Sequence, residues 1–146
     1  MRRIFLLMTI VLGMSVLSQA QEAADSAGII RTAMDYAEGW YAGDGEQMEQ
    51  ALHPELAKRT IQTDERGRSR LDQMSALTLV HATRKGWGKQ TPPERQIKRV
   101  TILTIYGDIA AVKVEMDGWV DLMHIGKYGG EWKIVNVLWA MKPQPK

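Results

Sequence analysis

The 146 residues contain no cysteine. That excludes disulfides, thiol catalysis and thiolate metal sites, so packing alone must hold the fold even in an oxidising compartment. Histidine is scarce. His53, His81 and His124 are all there are, they fall on separate predicted elements, and no spacing resembles a metal site. No glycine-rich loop follows a predicted strand, and no Ser-His-Asp arrangement can be argued, so nucleotide motifs and triad chemistry have no footing. No apolar run reaches the roughly 20 residues that a membrane span needs. The longest, Ile4 to Leu17, follows Arg2 and Arg3 and precedes Ser18-Gln19-Ala20. That is the anatomy of a secretory signal peptide cut after Ala20. The expectation is a signal over residues 1–20, a single domain over residues 21–146, and a periplasmic or secreted protein. An uncleaved anchor is the alternative.

An excess of either charge is also missing. Lys and Arg number 19 and Asp and Glu 17; without Arg2 and Arg3 the balance is 17 against 17. The whole-chain electrostatic warrant for nucleic-acid binding disappears. The distribution is uneven. Residues 21–57 carry one base and eight acids, whereas residues 58–99 carry eleven bases and four acids. Either an acidic helical face lies near basic connecting segments, or Lys58 to Arg70 forms an anion-binding strip.

Along the chain, Asp25 or Ser26 can cap a helix from about Ala27 to Ala42. Ile29, Ala33, Tyr36 and Trp40 form one stripe of it, with Ile30, Met34, Ala37 and Tyr41 alongside. Gly39 weakens this helix by about 1 kcal/mol relative to Ala, and it leaves room for something to approach the backbone. Gly43-Asp44-Gly45 separates it from a second helix carrying Met48, Ala51 and Leu52, with Asp44 and Gln47 placed as in a capping box. Pro54 stops that helix at His53. Residues 55–70 read as a short hairpin or an ordered loop. Leu71 to Arg84 reads as a third helix, and "KGWGKQTPPERQ" as a loop. The period then changes to 2. Strands are expected over Lys98–Ile105, Ile109–Asp117, Trp119–Lys127 and Trp132–Ala140. Helices first and sheet afterwards means α+β, with helices on one sheet face.

The Gly129-Gly130 turn sets a register. Trp132 faces Lys127, Ile134 faces Ile125, Asn136 faces Met123 and Leu138 faces Asp121. These share one face with Trp119. Val120, Leu122, His124, Val135, Val137 and Trp139 take the other face. Both faces are apolar, so one should meet the helices and the other a second copy of the chain, making a homodimer.

With these residues placed, "DYAEGWYAGDGEQMEQALHPELAKR", "LDQMSALTLVHATRKG" and "AAVKVEMDGWVDLMHIGKYGGEWKIVNVLW" together resemble the putative lumazine-binding family of the nuclear transport factor 2-like superfamily. The resemblance covers nearly all of residues 27–140. It implies a conical α+β fold, a curved antiparallel sheet with helices across its concave face and a pocket between them. It also implies a two-fold, sheet-to-sheet dimer. The ketosteroid isomerases of that superfamily hold an oxyanion with a first-helix tyrosine, seven residues before the glycine of an Ala-Gly-Asp turn. Tyr36 stands seven before Gly43. The aspartate base of those enzymes has no counterpart, because counting onward reaches Lys58, Arg59 and Thr60. The superfamily holds enzymes, binding proteins and adaptors, so fold does not decide function.

The candidate ligand-binding residues are Tyr36, Trp40, His53, Trp87, Trp119, Asp121 and Asn136. Each has a plainer reading. Tyr36 can be a core tyrosine with a satisfied hydroxyl, and His53 can hydrogen-bond the carbonyls at a helix end. Asp121 on a buried face needs a partner or a function; an arginine of the basic segment would serve. Trp87, between Gly86 and Gly88, is either a lid over the pocket or a loop anchor. No catalytic residue, metal or cofactor is expected, nor a nucleic-acid or post-cleavage membrane partner. The leading expectation is a secreted, pocketed dimer binding a small planar organic molecule without transforming it. A small isomerase, cyclase or hydrolase using Asp121 or His53 is one alternative, and a non-catalytic interaction module is the other.

Overall fold

A computed structural model describes residues 2–143, with side chains from Gln19 onward. The elements are α1 (Arg2–Ala42), α2 (Gly45–Ala51), β1 (Leu52–Thr63), β2 (Ser69–Ser75), α3 (Ala76–Arg84), β3 (Arg99–Tyr106), β4 (Ile109–Glu115), β5 (Trp119–Tyr128) and β6 (Glu131–Met141). Two 3-10 turns, Trp87–Gln90 and Pro93–Arg95, link α3 to β3. The strands form one sheet in the order β2-β1-β6-β5-β4-β3. Every neighbouring pair is antiparallel except β1 with β6, which is parallel. This is the α+β arrangement read from the sequence. Among the described residues no helix is long and apolar enough to cross a membrane.

The helices cover one sheet face. Ile29, Ala33, Tyr36 and Ala37 of α1 join Met48 of α2, Leu79 of α3 and the inward residues Val112, Val114, Met123, Ile125, Ile134 and Val137 in one buried cluster. Each large apolar side chain removed from water contributes roughly 1.5–3 kcal/mol. With no cysteine available, this burial is the main source of stability.

Several elements depart from the sequence reading. α1 starts at Arg2, not near Ala27. No proline interrupts its length, and the Asp25 carboxylate accepts from Gln21 and Lys127 at 3.0 and 2.7 Å instead of capping a helix. Asp44 does cap α2, accepting from the backbone N–H groups of Glu46 and Gln47 at 3.0 Å. The capping box is not closed, because the Gln47 amide donates to Asp35 instead.

α2 stops at Ala51, just before His53-Pro54, and the chain continues as β1, which pairs with β2: of the two expected alternatives the hairpin forms rather than the loop, and it is longer than expected. Pro54 sits where the β1–β6 ladder is interrupted, between Leu52 and Ala57, so its missing N–H costs no ladder bond. The expected third helix is strand over its first five residues, Leu71 to Ser75. Gly67 turns the chain so that residues 69–75 pair with β1, Ile61 opposite Leu71, and Ser75 then caps a shorter α3 by accepting from the Thr78 N–H. Leu71 and Leu77, apolar residues of that expected helix, are not buried; they are 60% and 70% exposed.

The most consequential correction is one residue in β6. From the turn to Ile125 opposite Ile134 the pairing is as expected. Between His124 and Ile125 the register shifts, so that His124 faces Asn136, Met123 faces Val137 and Asp121 faces Trp139. Val135 is the extra residue of a bulge. A one-residue shift exchanges the faces of everything beyond it. Val137 and Trp139 turn inward, while Asn136 and Leu138 turn outward.

Gly39 answers to a close approach. A Cβ there would lie 2.9 Å from the Met48 backbone N and 3.1 Å from the Asp44 backbone O. Helix propensity alone favours alanine by about 1 kcal/mol, but backbone cannot yield as a flexible side chain does. Gly39→Ala is therefore expected to destabilise by about 1–3 kcal/mol in urea unfolding; a stabilised variant would mean that α2 does not sit against α1 there.

Candidate functional site

The β6 shift assembles the site. Trp139 of β6, Trp119 of β5, Trp40 and Tyr36 of α1, Lys58 of β1 and Leu79 of α3 surround an open cavity of about 400 Å³ between helices and sheet. Met74, Trp87 and Met141 complete its wall. Trp40 and Trp119 meet in a T-shaped pair, ring centres 6.0 Å apart and planes at 86°, the geometry that ring quadrupoles favour. Trp87 is half-exposed at 53% and stands between this cavity and a shallower groove beside α3, lined by Leu77, Thr78, His81 and Lys85. Its position is fixed by Gly88, where a Cβ would lie 2.1 Å from the Trp40 carbonyl oxygen. The turn that carries Trp87 is thus anchored directly on α1.

Polar chemistry is concentrated at one wall. Asp121, fully buried, forms an ion pair with Lys58, itself only 6% exposed. The Asp121 carboxylate also accepts from the Tyr36 hydroxyl at 3.1 Å and from the Trp119 indole N–H at 2.9 Å. Lys58 Nζ donates to the Tyr36 oxygen at 2.8 Å. It also lies 5.4 and 5.2 Å from the ring centres of Tyr36 and Trp139, within cation–π range. Burial, followed by the negative charge of Asp121, pushes the Tyr36 phenol well above its ordinary value, so the hydroxyl stays protonated. Burial also holds the Lys58 ammonium below the ordinary lysine value, although Asp121 pulls it back up.

The candidate residues thus divide. Tyr36, Trp40, Trp87 and Trp119 line the cavity, and Asp121 lies against its wall through three of the side chains around it. His53 lies elsewhere, its ring centre 4.6 Å from that of Tyr128 and its Nδ1 accepting from the Glu55 N–H. Asn136 is on the outer face, where it accepts from Arg59 Nη1 at 3.0 Å. The partner of Asp121 is a lysine of the basic segment, not an arginine.

Lys58 and Trp139 were missed as site residues. The alternation Leu56, Lys58, Thr60 along β1 points all three inward, a period-2 signal hidden while residues 55–70 read as hairpin or loop. Trp139 was hidden by the bulge. Among the described residues no group of three or more His, Asp or Glu is placed to hold a metal.

Comparison with known proteins agrees with this fold. A family profile described as "Putative lumazine-binding" matches residues 24–140. An NTF2-like protein of unknown function from Shewanella baltica is 17% identical, with 84% of this chain and 97% of that one covered at a TM-score of 0.64. An NTF2-like protein from Methylobacillus flagellatus is 22% identical, with coverage of 82% and 94% and a TM-score of 0.61. One with a cystatin-like fold from Novosphingobium aromaticivorans is 9% identical, with coverage of 90% and 91% and a TM-score of 0.68. These likenesses show the fold alone. No curated protein matches the chain.

A buried charge stripped of its partner is expensive, whereas a buried pair exchanged for apolar groups often is not. Asp121→Leu should therefore lose about 3–5 kcal/mol in denaturant unfolding, and Lys58→Met combined with Asp121→Leu should be more stable than Asp121→Leu alone. Costs that simply add would contradict the pairing.

Proposed function

The chain belongs to the putative lumazine-binding family, and from that premise we propose that it is an exported, non-catalytic binding protein for a small, flat, largely apolar organic molecule. One observation carries this reading: an open cavity walled by Trp40, Trp87, Trp119 and Trp139 with a single polar wall. Its size falls within the range of small-molecule sites, roughly 300–1,000 Å³. Indole faces favour a planar guest, and a neutral Lys58–Asp121 pair favours one without net charge. Tyr36 and Lys58 supply the polar contacts that would orient it.

Binding without turnover is favoured by where the acid/base candidates stand. Asp121 does not line the cavity and would reach a guest only through Tyr36, Lys58 or Trp119, and His53 lies beside Tyr128, tilted against its ring, away from the cavity. An adaptor built on this fold would be expected to close its cavity, and this one is open.

Export and assembly belong to the same proposal. Export rests on Arg2, Arg3, the run Ile4 to Leu17 and the cut after Ala20. A homodimer rests on the outer sheet face, where Leu122 stays as expected while Val137 and Trp139 drop out, since Val137 is buried and Trp139 faces the cavity. Ile61 opposite Leu71 and Leu122 opposite Leu138 form adjoining apolar pairs there, 45–61% exposed. We propose that a second copy covers them.

Two measurements check this reading. 6-Methoxy-2-naphthalenemethanol, a flat bicyclic alcohol, should quench tryptophan fluorescence and raise the melting temperature. Trp139→Ala should weaken it about tenfold, the equivalent of 1.4 kcal/mol. No change up to millimolar alcohol would overturn the binding proposal. Sedimentation of the exported protein should give a dimer of chains whose mass begins at Gln21, dissociated by Leu122→Lys; a monomeric wild type at micromolar concentration would remove the dimer.

A further inference from the structure

Lys58 is the one buried lysine among the described residues, and the one lysine lining the tryptophan cavity. As a device for stability this is weak, because a buried ion pair is often no better than apolar residues of the same volume. As chemistry it is more telling. Two of the three N–H bonds on Nζ go to Tyr36 and Asp121, with no third hydrogen-bond acceptor found among the described residues. The same nitrogen lies 5.2 Å from the ring centre of Trp139, a cavity wall. An amine therefore stands at the cavity with a proton acceptor and a protonated hydroxyl both bonded to it.

We propose that Lys58 captures aromatic or conjugated aldehydes and ketones reversibly, as an imine formed inside the tryptophan cavity. This rests on the binding role above and names the class of guest. Surface lysines are almost wholly protonated at neutral pH, whereas burial favours the neutral amine at Lys58.

The steps balance. The Lys58 ammonium passes one proton to the Asp121 carboxylate. The free amine attacks the carbonyl carbon, a C–N bond forms, and the carbonyl π pair moves to oxygen. A second proton passes from nitrogen to that oxygen through the Tyr36 hydroxyl, which gives one and takes one, leaving a carbinolamine. Its hydroxyl departs as water, protonated by the Tyr36 hydroxyl, which takes back the proton held by Asp121, and the nitrogen lone pair closes the C=N bond. The product is a protonated imine beside an Asp121 carboxylate, plus one water. Nothing is oxidised or reduced. The surrounding indoles would hold the guest in place, which favours capture over attack at a solvated lysine.

The test uses 6-methoxy-2-naphthaldehyde with sodium cyanoborohydride, which reduces the imine to a stable secondary amine. Intact mass and peptide mapping of the wild-type protein then locate the adduct. The expected result is a single addition of the aldehyde's mass less one oxygen, on Lys58, at least about tenfold faster than on any other lysine. Excess 6-methoxy-2-naphthalenemethanol should suppress it, and Lys58→Met should lack it. Absence of the Lys58 adduct, or equal labelling of exposed lysines such as Lys85 and Lys89, would overturn the proposal. The alcohol separates the two failures. If it binds while the aldehyde leaves no adduct on Lys58, only covalent capture falls; if neither binds, the binding role falls with it.

Discussion

The ion pair between Lys58 and Asp121 is the constraint around which the cavity is organised. A carboxylate with no exposure cannot stay ionised in apolar surroundings without partners, and three elements supply them: α1 through Tyr36, β1 through Lys58 and β5 through Trp119. The same contacts tie the helix layer to two separate parts of the sheet. They also orient the groups a guest would meet. The Trp119 indole is held by its N–H, the Tyr36 hydroxyl by two neighbours, and the Lys58 stem by its strand. A site supported in this way is preorganised before any guest enters, which lowers the cost of binding.

Around that polar wall the remaining cavity is apolar, and its shape follows from strand geometry. The parallel insertion of β1 beside β6 places Lys58 opposite Val137 and Thr60 opposite Trp139. The Val135 bulge turns Trp139 toward Lys58. Without the bulge, Leu138 would stand in its place and the indole would face outward. One extra residue in one strand thus decides whether the cavity has its fourth tryptophan, a common use of bulges near functional sites.

Much of the fold was legible in the sequence. Period-2 alternation located the last four strands within a residue or two, and the Gly129-Gly130 turn set the register of the last two as far as Ile134. The room left at Gly39 was legible too, and α2 occupies it. What could not be read were non-local effects. Nothing around Val135 marks a bulge, since a β-branched residue suits a regular strand equally well. Leu71 to Arg84 has helical spacing, and its first part becomes strand only because β1 lies beside it, a partner remote from any local signal. The site was half legible for the same reason. Tyr36, Trp40, Trp119 and Asp121 sit on elements whose faces were read correctly. Lys58 sits on a strand that the sequence left open between hairpin and loop, and Trp139 and Asn136 exchanged faces with the bulge.

On this reading the tryptophan cavity, with Lys58 and Tyr36 at its polar wall, receives a planar guest. Intermolecular nuclear Overhauser effects between 6-methoxy-2-naphthalenemethanol and the isotope-labelled protein address it most directly. Contacts are expected from the naphthalene protons to the indole rings of Trp40, Trp119 and Trp139, and from the alcohol methylene to Tyr36. Contacts confined to Leu122, Leu138 and Ile61 on the outer face, or indole rings that contact only one another with the guest present, would contradict it.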